Sequence, residues 1–198
     1  MSQQIETQID VTLTERNRAT VFFRPILVIP FLIFCASFAP SSGDGDTFPY
    51  FVAGIILLPA LLALVFRQIY PSYLLAFAEA LLSLQTRLFA YSFLLTDEYP
   101  SIEKNEIVSI VFPPVDAKLL NRWLPLVKWF LAIPLYIVGI VYIFYAHFLT
   151  IFAWFSVIFT GNYPEKCAEV VVGTIAYWNR VAGYALLLVT DEYPTFSL

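Results

Sequence analysis

Formal charge is scarce in this chain, and it is absent from one long stretch. Asp, Glu, Lys and Arg make up 13% of the 198 residues, about half the share of an ordinary soluble domain. None of them occurs from Phe130 to Thr160. About 20 apolar residues form one membrane helix, so a run of this length predicts two spans joined by a very short turn. The chain is therefore predicted to be an integral membrane protein.

Residues that usually carry chemistry are also few. The chain has one histidine, two cysteines and no CxxC pair, so the common Cys and His metal frameworks are excluded. It has no glycine-rich phosphate loop, and neither predicted membrane hairpin has a charged residue in its middle. Proton-coupled transporters and intramembrane hydrolases place ionisable groups there. We therefore expect no enzymatic activity, no cofactor and no metal.

The sequence also disfavours nucleic-acid binding and a cleaved signal peptide. The net charge of -4 provides no basic surface for nucleic acid. The opening M-S-Q-Q-I-E-T-Q-I-D lacks the basic and apolar segments of a cleaved signal peptide, so the spans themselves are expected to direct insertion.

Short strands and amphipathic helices accompany the apolar spans. Alternation of apolar and polar residues predicts strands near 5–13 and 106–112. Glu79 and Arg87 lie on one stripe of an otherwise apolar segment, which predicts a helix over 72–95 lying in the membrane interface. That stripe either binds a headgroup or partner, or is simply solvated.

The second half of the chain repeats the first. N-R-A-T-V-F-F-R-P-I-L-V-I-P, from residue 17, matches N-R-W-L-P-L-V-K-W-F-L-A-I-P, from residue 121, at an offset of 104. Arg87 matches Arg180 at an offset of 93, and T-D-E-Y-P occurs at both 96–100 and 190–194. The smaller offset indicates that the second copy lacks the long Gly-Asp loop of the first. Its hairpin turn is therefore predicted near Tyr142–Ala146.

The repeat predicts an all-α membrane fold of two tandem units with short cytoplasmic strands. Each unit is a transmembrane helical hairpin followed by an amphipathic interfacial helix. The first unit is residues 1–104, with spans at 22–39 and 50–66 and the interfacial helix at 72–95. The second is residues 105–198, with spans at 124–142 and 145–160 and the interfacial helix at 165–188. Pro30 and Pro134 predict kinks in the first span of each unit.

The basic residues predict the orientation. All 11 Lys and Arg residues fall on one side of this topology, and the opposite loops carry only acidic residues. By the positive-inside rule, both termini are expected in the cytoplasm.

Several stretches also resemble a known family. F-S-V-I-F-T-G-N-Y-P with the amphipathic helix after it, the ending L-L-V-T-D-E-Y-P-T-F-S-L, and R-W-L-P-L-V-K-W-F-L-A-I-P are similar to the prokaryotic domain-of-unknown-function family 4389. The resemblance covers essentially the whole chain, more closely in the second copy. The first copy departs from it with R-Q-I-Y-P where the second has F-T-G-N-Y-P. The resemblance implies a membrane location and a repeat architecture, and it supplies no activity or site residues. We expect the membrane to be the bacterial cytoplasmic (inner) membrane.

The repeated acids and bases are the main site candidates. Arg18 and Arg122 precede the first span of each unit, and Asp97 and Asp191 follow the interfacial helices. We expect two equivalent ion-pair clamps, paired either within a unit or swapped between units. A ligand site is the alternative, but a structural role is favoured because irregular segments after helices need anchors. The other interaction candidates are Glu79, Arg87, Arg180 and the headgroup-level tyrosines Tyr99 and Tyr193.

Three functions fit this sequence. The first is a non-enzymatic accessory or scaffold subunit of a larger membrane complex, associating with other subunits or with itself. The second is a lipid-binding or membrane-shaping protein, because two interfacial helices face the lipid headgroups. The third is a small transporter or channel.

Overall fold

The computed structural model describes residues 3–36, 58–103 and 106–198, and this part of the chain is mostly helical with one pair of short strands. The helical class and the strand pair are as predicted. The elements in chain order are β1 Glu6–Ile9, α1 Arg18–Leu27, α2 Ile29–Ala36, α3 Leu58–Arg67, α4 Ser72–Ser92, β2 Val108–Val111, α5 Lys128–Leu131, α6 Ile133–Thr160 and α7 Glu165–Ala185.

The two strands are antiparallel. Glu6 pairs with Val111, and Ile9 pairs with Val108, so each strand is shorter than predicted. Glu6 and Gln8 are exposed on one face of β1, as the alternation requires. The sheet thereby joins the N-terminal segment to the connector between the two halves.

The uncharged stretch forms one continuous helix and not a hairpin. α6 runs from Ile133 to Thr160, so the predicted turn at Tyr142–Ala146 and the separate spans at 124–142 and 145–160 are wrong. No Gly or Pro lies between positions 140 and 160, so nothing interrupts the helical hydrogen bonds. The helix ends at Gly161, whose φ of 80° is left-handed. Its 28 residues are about 42 Å long.

The helix is interrupted two residues before each of the two prolines that were predicted to kink it. α1 and α2 meet at a 41° bend at Val28, ahead of Pro30. α5 and α6 are likewise separated at Ala132, ahead of Pro134. Proline cannot donate to the carbonyl four residues earlier, and its ring clashes with that carbonyl.

Only part of the first predicted hairpin belongs to the described residues. α3 covers the second half of the predicted span 50–66 and ends in a π-helical turn, Ala63–Arg67. Gln68 follows it in the left-handed conformation, with a φ of 49°. The loop between residues 40 and 49 and the end of the predicted span 22–39 lie outside the described residues.

The two predicted amphipathic helices are confirmed as helices and they contact each other. α4 and α7 begin where predicted, and each ends three residues early. They meet where Asn179 donates hydrogen bonds to Thr86 (3.0 Å) and to Thr7 on β1 (2.9 Å). Thr86 and Asn179 are 93 residues apart, which is the offset of the sequence repeat in this region.

Helix α7 lies between the sheet and α6. Its Tyr177 hydroxyl donates to the Leu135 carbonyl of α6, whereas Asn179 faces β1. Residues two apart point about 160° away from each other on an α-helix, so these two contacts lie on nearly opposite faces. In the described part of the chain, α6 is the one helix long and apolar enough to cross a membrane, or one of two if α1 and α2 form a single bent span.

Candidate functional site

The acid that follows α4 is bound by two buried arginines, and we call this arrangement the first clamp. Asp97 Oδ1 accepts hydrogen bonds from Arg16 (2.8 Å) and Arg24 (2.7 Å), and its Oδ2 accepts one from the Asn17 amide (3.0 Å). Arg24 also donates to the Thr96 carbonyl at 2.7 Å. Both guanidiniums are almost fully buried, whereas the Asp97 side chain is partly exposed.

The acid that follows α7 has the same surroundings, and we call them the second clamp. Lys128 Nζ lies 2.7 Å from Asp191 Oδ1 and donates to the Thr190 carbonyl at 2.6 Å. The Asn121 amide donates to Asp191 Oδ2 at 2.6 Å. Each contact corresponds to one in the first clamp, with Lys128 in the place of Arg24.

Tyrosines complete both clamps. The Arg24 guanidinium lies 3.9 Å from the ring centre of Tyr91, and the Lys128 ammonium lies 5.1 Å from that of Tyr184. The predicted candidates Tyr99 and Tyr193 pack edge to face with Tyr91 and Tyr184, with 5.5 Å between ring centres in each pair. Each buried cation therefore lies between a carboxylate and an aromatic face, both of which attract positive charge.

The helix starts explain why these basic residues face the acids. Asn17 accepts from the amides of Ala19 and Thr20, and Asn121 caps its own turn in the same way through Trp123 and Leu124. Arg24 and Lys128 each follow their asparagine by seven residues. Seven residues make almost two turns, so in a helix the base returns to the face of the capping asparagine.

The prediction that Arg18 and Arg122 pair with Asp97 and Asp191 is wrong. Each follows its asparagine by one residue, which turns it about 100° away from the acid. Arg122 instead donates to the carbonyls of Val65 and Phe66 at the end of α3. The Arg18 guanidinium packs beside Gly161 at the end of α6. Each arginine thus lies at a helix C-terminus of the other half, where unpaired carbonyls attract positive charge.

The two clamps differ in charge. Position 120, which is 104 residues after Arg16, is Leu120, so the second clamp has one cation where the first has two. Burial alone would raise the pKa of Asp97, but the Asn17 amide and the charges of Arg16 and Arg24 hold this pKa below its ordinary value. The first clamp therefore carries a surplus of one buried positive charge.

The remaining candidates hold the chain segments that follow α4 and α7. Arg87 donates to the carbonyls of Ser101 and Glu103, and Arg180 donates to the Ser197 carbonyl. Arg87 is buried, so it does not belong to a solvated stripe. Glu79 is half-buried on α4.

An apolar groove that the sequence analysis missed lies next to the first clamp. It has a volume of about 430 Å³ and runs between α1, the end of α4, and α6. Arg24 contributes to its lining, and Val28, Leu94 and Trp154 are among the other lining residues. Helices far apart in sequence form the groove, so no local pattern indicates it.

The clamps hold the chain to itself. Their carboxylates accept hydrogen bonds from backbone amides and buried cations. Their cations also donate to the carbonyls of Thr96 and Thr190, in the segments that follow α4 and α7. Such an arrangement fixes where a segment leaves a helix, and it places the charges against protein groups on several sides.

Comparisons with known proteins give one match. The model of the family described as "Domain of unknown function (DUF4389)" matches residues 123–197, which include α5, α6, α7 and the acid of the second clamp. One copy is matched, in the second half of the chain. No curated protein and no solved structure matches the chain.

Proposed function

We propose that this protein is an integral membrane protein that acts as a non-enzymatic accessory or scaffold subunit of a larger membrane assembly. The outer surface of α6 carries the proposal. Apolar side chains that are 41% to 75% exposed line the helix from end to end, among them Ile137, Phe144, Phe148, Phe155 and Phe159. Soluble monomers rarely expose an apolar patch that extends along a whole helix.

The proposal includes two tandem units, residues 1–104 and 105–198, in the bacterial cytoplasmic membrane with both termini in the cytoplasm. Its support is the recurrence of contacts around Asn17 and Asn121, and around Asp97 and Asp191. Basic residues accompany both sets of contacts, with Arg18 next to Asn17 and Arg122 next to Asn121, and the positive-inside rule favours a cytoplasmic position for them.

The clamps support a scaffold role over catalysis. Buried ion pairs that bind backbone groups fix geometry and leave no reactive group poised beside a substrate. An apolar outer surface then offers contact to lipid and to neighbouring membrane subunits.

Fractionation and purification test the proposal. We expect the protein to stay in the membrane pellet after alkaline carbonate washing and to elute from mild detergent in a larger assembly of fixed stoichiometry. Release by carbonate would overturn the membrane location. A clean monomer in several mild detergents would overturn the scaffold role.

The groove beside Trp154 favours a second candidate, a lipid-binding or membrane-shaping protein. Its volume of about 430 Å³ lies in the range of ligand pockets, and its lining is mostly apolar. We expect lipid to co-purify with the protein and liposomes to deform when it is added. A lipid-free preparation and unchanged liposomes would contradict this candidate.

A further inference from the structure

The two clamps lie at opposite ends of α6. At its start, Lys128 and Asp191 form the second clamp, and the Tyr193 hydroxyl donates to the Leu131 carbonyl. At its end, the Gly161 carbonyl accepts from the Arg16 amide of the first clamp. Basic residues therefore stand at both ends of a helix about 42 Å long.

Helix α7 runs antiparallel to α6 along nearly its whole length. Leu135 near the start of α6 contacts Tyr177, and Gly139 lies against Trp178. Farther along, Ala146, Ala153 and Val157 of α6 share one buried cluster with Ile175, Val171 and Cys167 of α7. The axes of α6 and α7 must therefore make nearly the same angle with a membrane.

The far side of α7 is unsuited to hydrocarbon. This side of α7 faces the sheet, in which β1 exposes Glu6 and Gln8. The first turns of α7 also expose Glu165, Lys166 and Glu169. A charged side chain at the bilayer centre costs about 2.5–3.5 kcal/mol on insertion scales. An open two-stranded sheet in lipid would leave backbone groups unpaired along both edges. A transmembrane α6 would therefore draw groups that need water into the bilayer.

α6 has one face buried against the protein and one exposed apolar face along its full length. The buried stripe, which faces α7, includes the small residues Gly139, Ala146 and Ala153. The opposite face is apolar and aromatic from Ile137 to Phe159. A transmembrane helix needs about 20 residues, and α6 has 28.

We propose that α6 does not cross the bilayer but lies parallel to the membrane surface, inserted as a wedge among the acyl chains of one leaflet. This inference rests on the membrane location proposed above and specifies how the protein is inserted. α7 and α4 lie above α6 at the level of the headgroups, and the sheet faces the cytoplasm. The exposed Arg122, which precedes α5 and α6, and the exposed Arg18, which packs beside Gly161 at the end of α6, then meet anionic headgroups of the same leaflet.

The contact between α4 and α7 agrees with this orientation. Thr86 and Asn179 occupy equivalent positions of the repeat and touch each other, so a twofold relation between the halves passes between them. If that axis stands perpendicular to the membrane, equivalent residues of the two halves have equal depth, so both clamps, and with them both ends of α6, lie at the same depth.

Site-directed labelling tests the inference first. In a Cys35→Ser, Cys167→Ala background, Leu119→Cys reports on the start of the α5–α6 segment and Asn162→Cys on the end of α6; both positions are exposed. We expect a membrane-impermeant maleimide to label both in inverted vesicles and neither in intact spheroplasts. Ser109→Cys on β2 is the cytoplasmic reference, and detergent-solubilised membranes show that each thiol reacts. Labelling of the two ends from opposite sides would overturn the inference.

Depth measurements distinguish the wedge from the membrane location itself. Nitroxides at Ile137→Cys, Phe148→Cys and Phe155→Cys report their depth through the ratio of oxygen to nickel collisions. We expect similar, shallow depths at the three positions. A maximum at Phe148, near the middle of α6, would overturn the wedge and leave the membrane location intact. Nickel access equal to that of a water-soluble protein would overturn both.

Discussion

Asp97 is the residue on which the first clamp depends. It is the carboxylate shared by two buried guanidiniums, and removing it leaves both without a charged partner. Breaking a buried ion pair in this way costs about 3–5 kcal/mol, more than the pair contributes when intact. Asp97 therefore acts as a fold determinant even though it lies in an irregular segment.

We predict that stability depends on pH through Asp97. Its pKa is lowered in the folded state, so its contribution is fully present above the ordinary value of 3.8 and is lost as the pH falls through the lower folded pKa. Asp97→Asn should lower the free energy of unfolding by about 3 kcal/mol at pH 7. It should also flatten the fall of the melting temperature in acid.

The control for this prediction is Glu98→Gln, a neighbouring exposed carboxylate. Melting temperatures in detergent or nanodiscs from pH 7 to pH 3 provide the measurement. An unchanged acid slope in Asp97→Asn would show that another group titrates.

At the scale of elements, each half anchors a helix end of the other. Arg122 donates to the last carbonyls of α3, and Arg18 packs at the end of α6. Gln68 and Gly161, the left-handed residues that follow these helices, are 93 residues apart, as the repeat requires. The two halves are therefore interlocked through their helix termini.

We predict that Arg122→Ala loosens the end of α3 without affecting the second clamp. Amide exchange should rise by about ten- to hundredfold around residues 65–68, because removing a hydrogen bond to a charged group costs roughly 1.5–3 kcal/mol. Lys118→Ala, an exposed position in the same connector, is the matched control.

A double-mutant cycle separates the two roles. Arg122 and Asp191 should show no coupling in unfolding free energy, whereas Lys128 and Asp191 should couple by more than about 0.5 kcal/mol. If a charge reversal at Asp191 rescued a charge reversal at Arg122, the two residues would be a pair, and the assignment of Lys128 to Asp191 would be contradicted.

Local patterns predicted some elements well and others poorly, for physical reasons. α4 and α7 begin where their amphipathic pattern begins, and each ends three residues early. The left-handed Leu94 and Leu188 follow these ends by two and three residues, so neither helix continues to its predicted end. The course of α6 was not predictable from its composition, because a wholly apolar segment shows no period that separates one long helix from two short ones.

The acids of the clamps were predictable because T-D-E-Y-P recurs, but their basic partners were not assigned correctly. Arg18 and Arg24 both belong to α1, and the rotation of this helix about its axis decides which of them faces Asp97. The groove beside Trp154 depends on how α1 packs on α6, and no sequence spacing records that contact.

At the scale of the whole molecule, neither half has a complete set of contacts alone. β1 of the first half packs on α7 of the second, and β2 of the second packs on α4 of the first. Asn179 reaches across the halves to both Thr7 and Thr86. The interface between the halves is therefore part of the core.

We predict that the halves 1–104 and 105–198 fold only together. Expressed separately they should be degraded or self-associate, and expressed together they should co-purify in equal amounts, because each supplies strand and cap contacts to the other. Thr7→Val with Asn179→Leu should weaken co-purification, whereas Gln8→Val on the exposed face of β1 is the control. Stable, monomeric folding of either half alone would contradict the interlocked arrangement.

The bond between Thr7 and Asn179 also sets a delay during synthesis. Its partners are 172 residues apart, and a ribosome adding roughly 5–20 residues per second needs on the order of 10–30 seconds to make that length. Throughout that time β1 has been made but the helix surface it packs on has not, while the apolar side chains of α1 and α2 have already left the ribosome. The nascent chain must therefore shelter these helices in the membrane or on a chaperone before its own core exists.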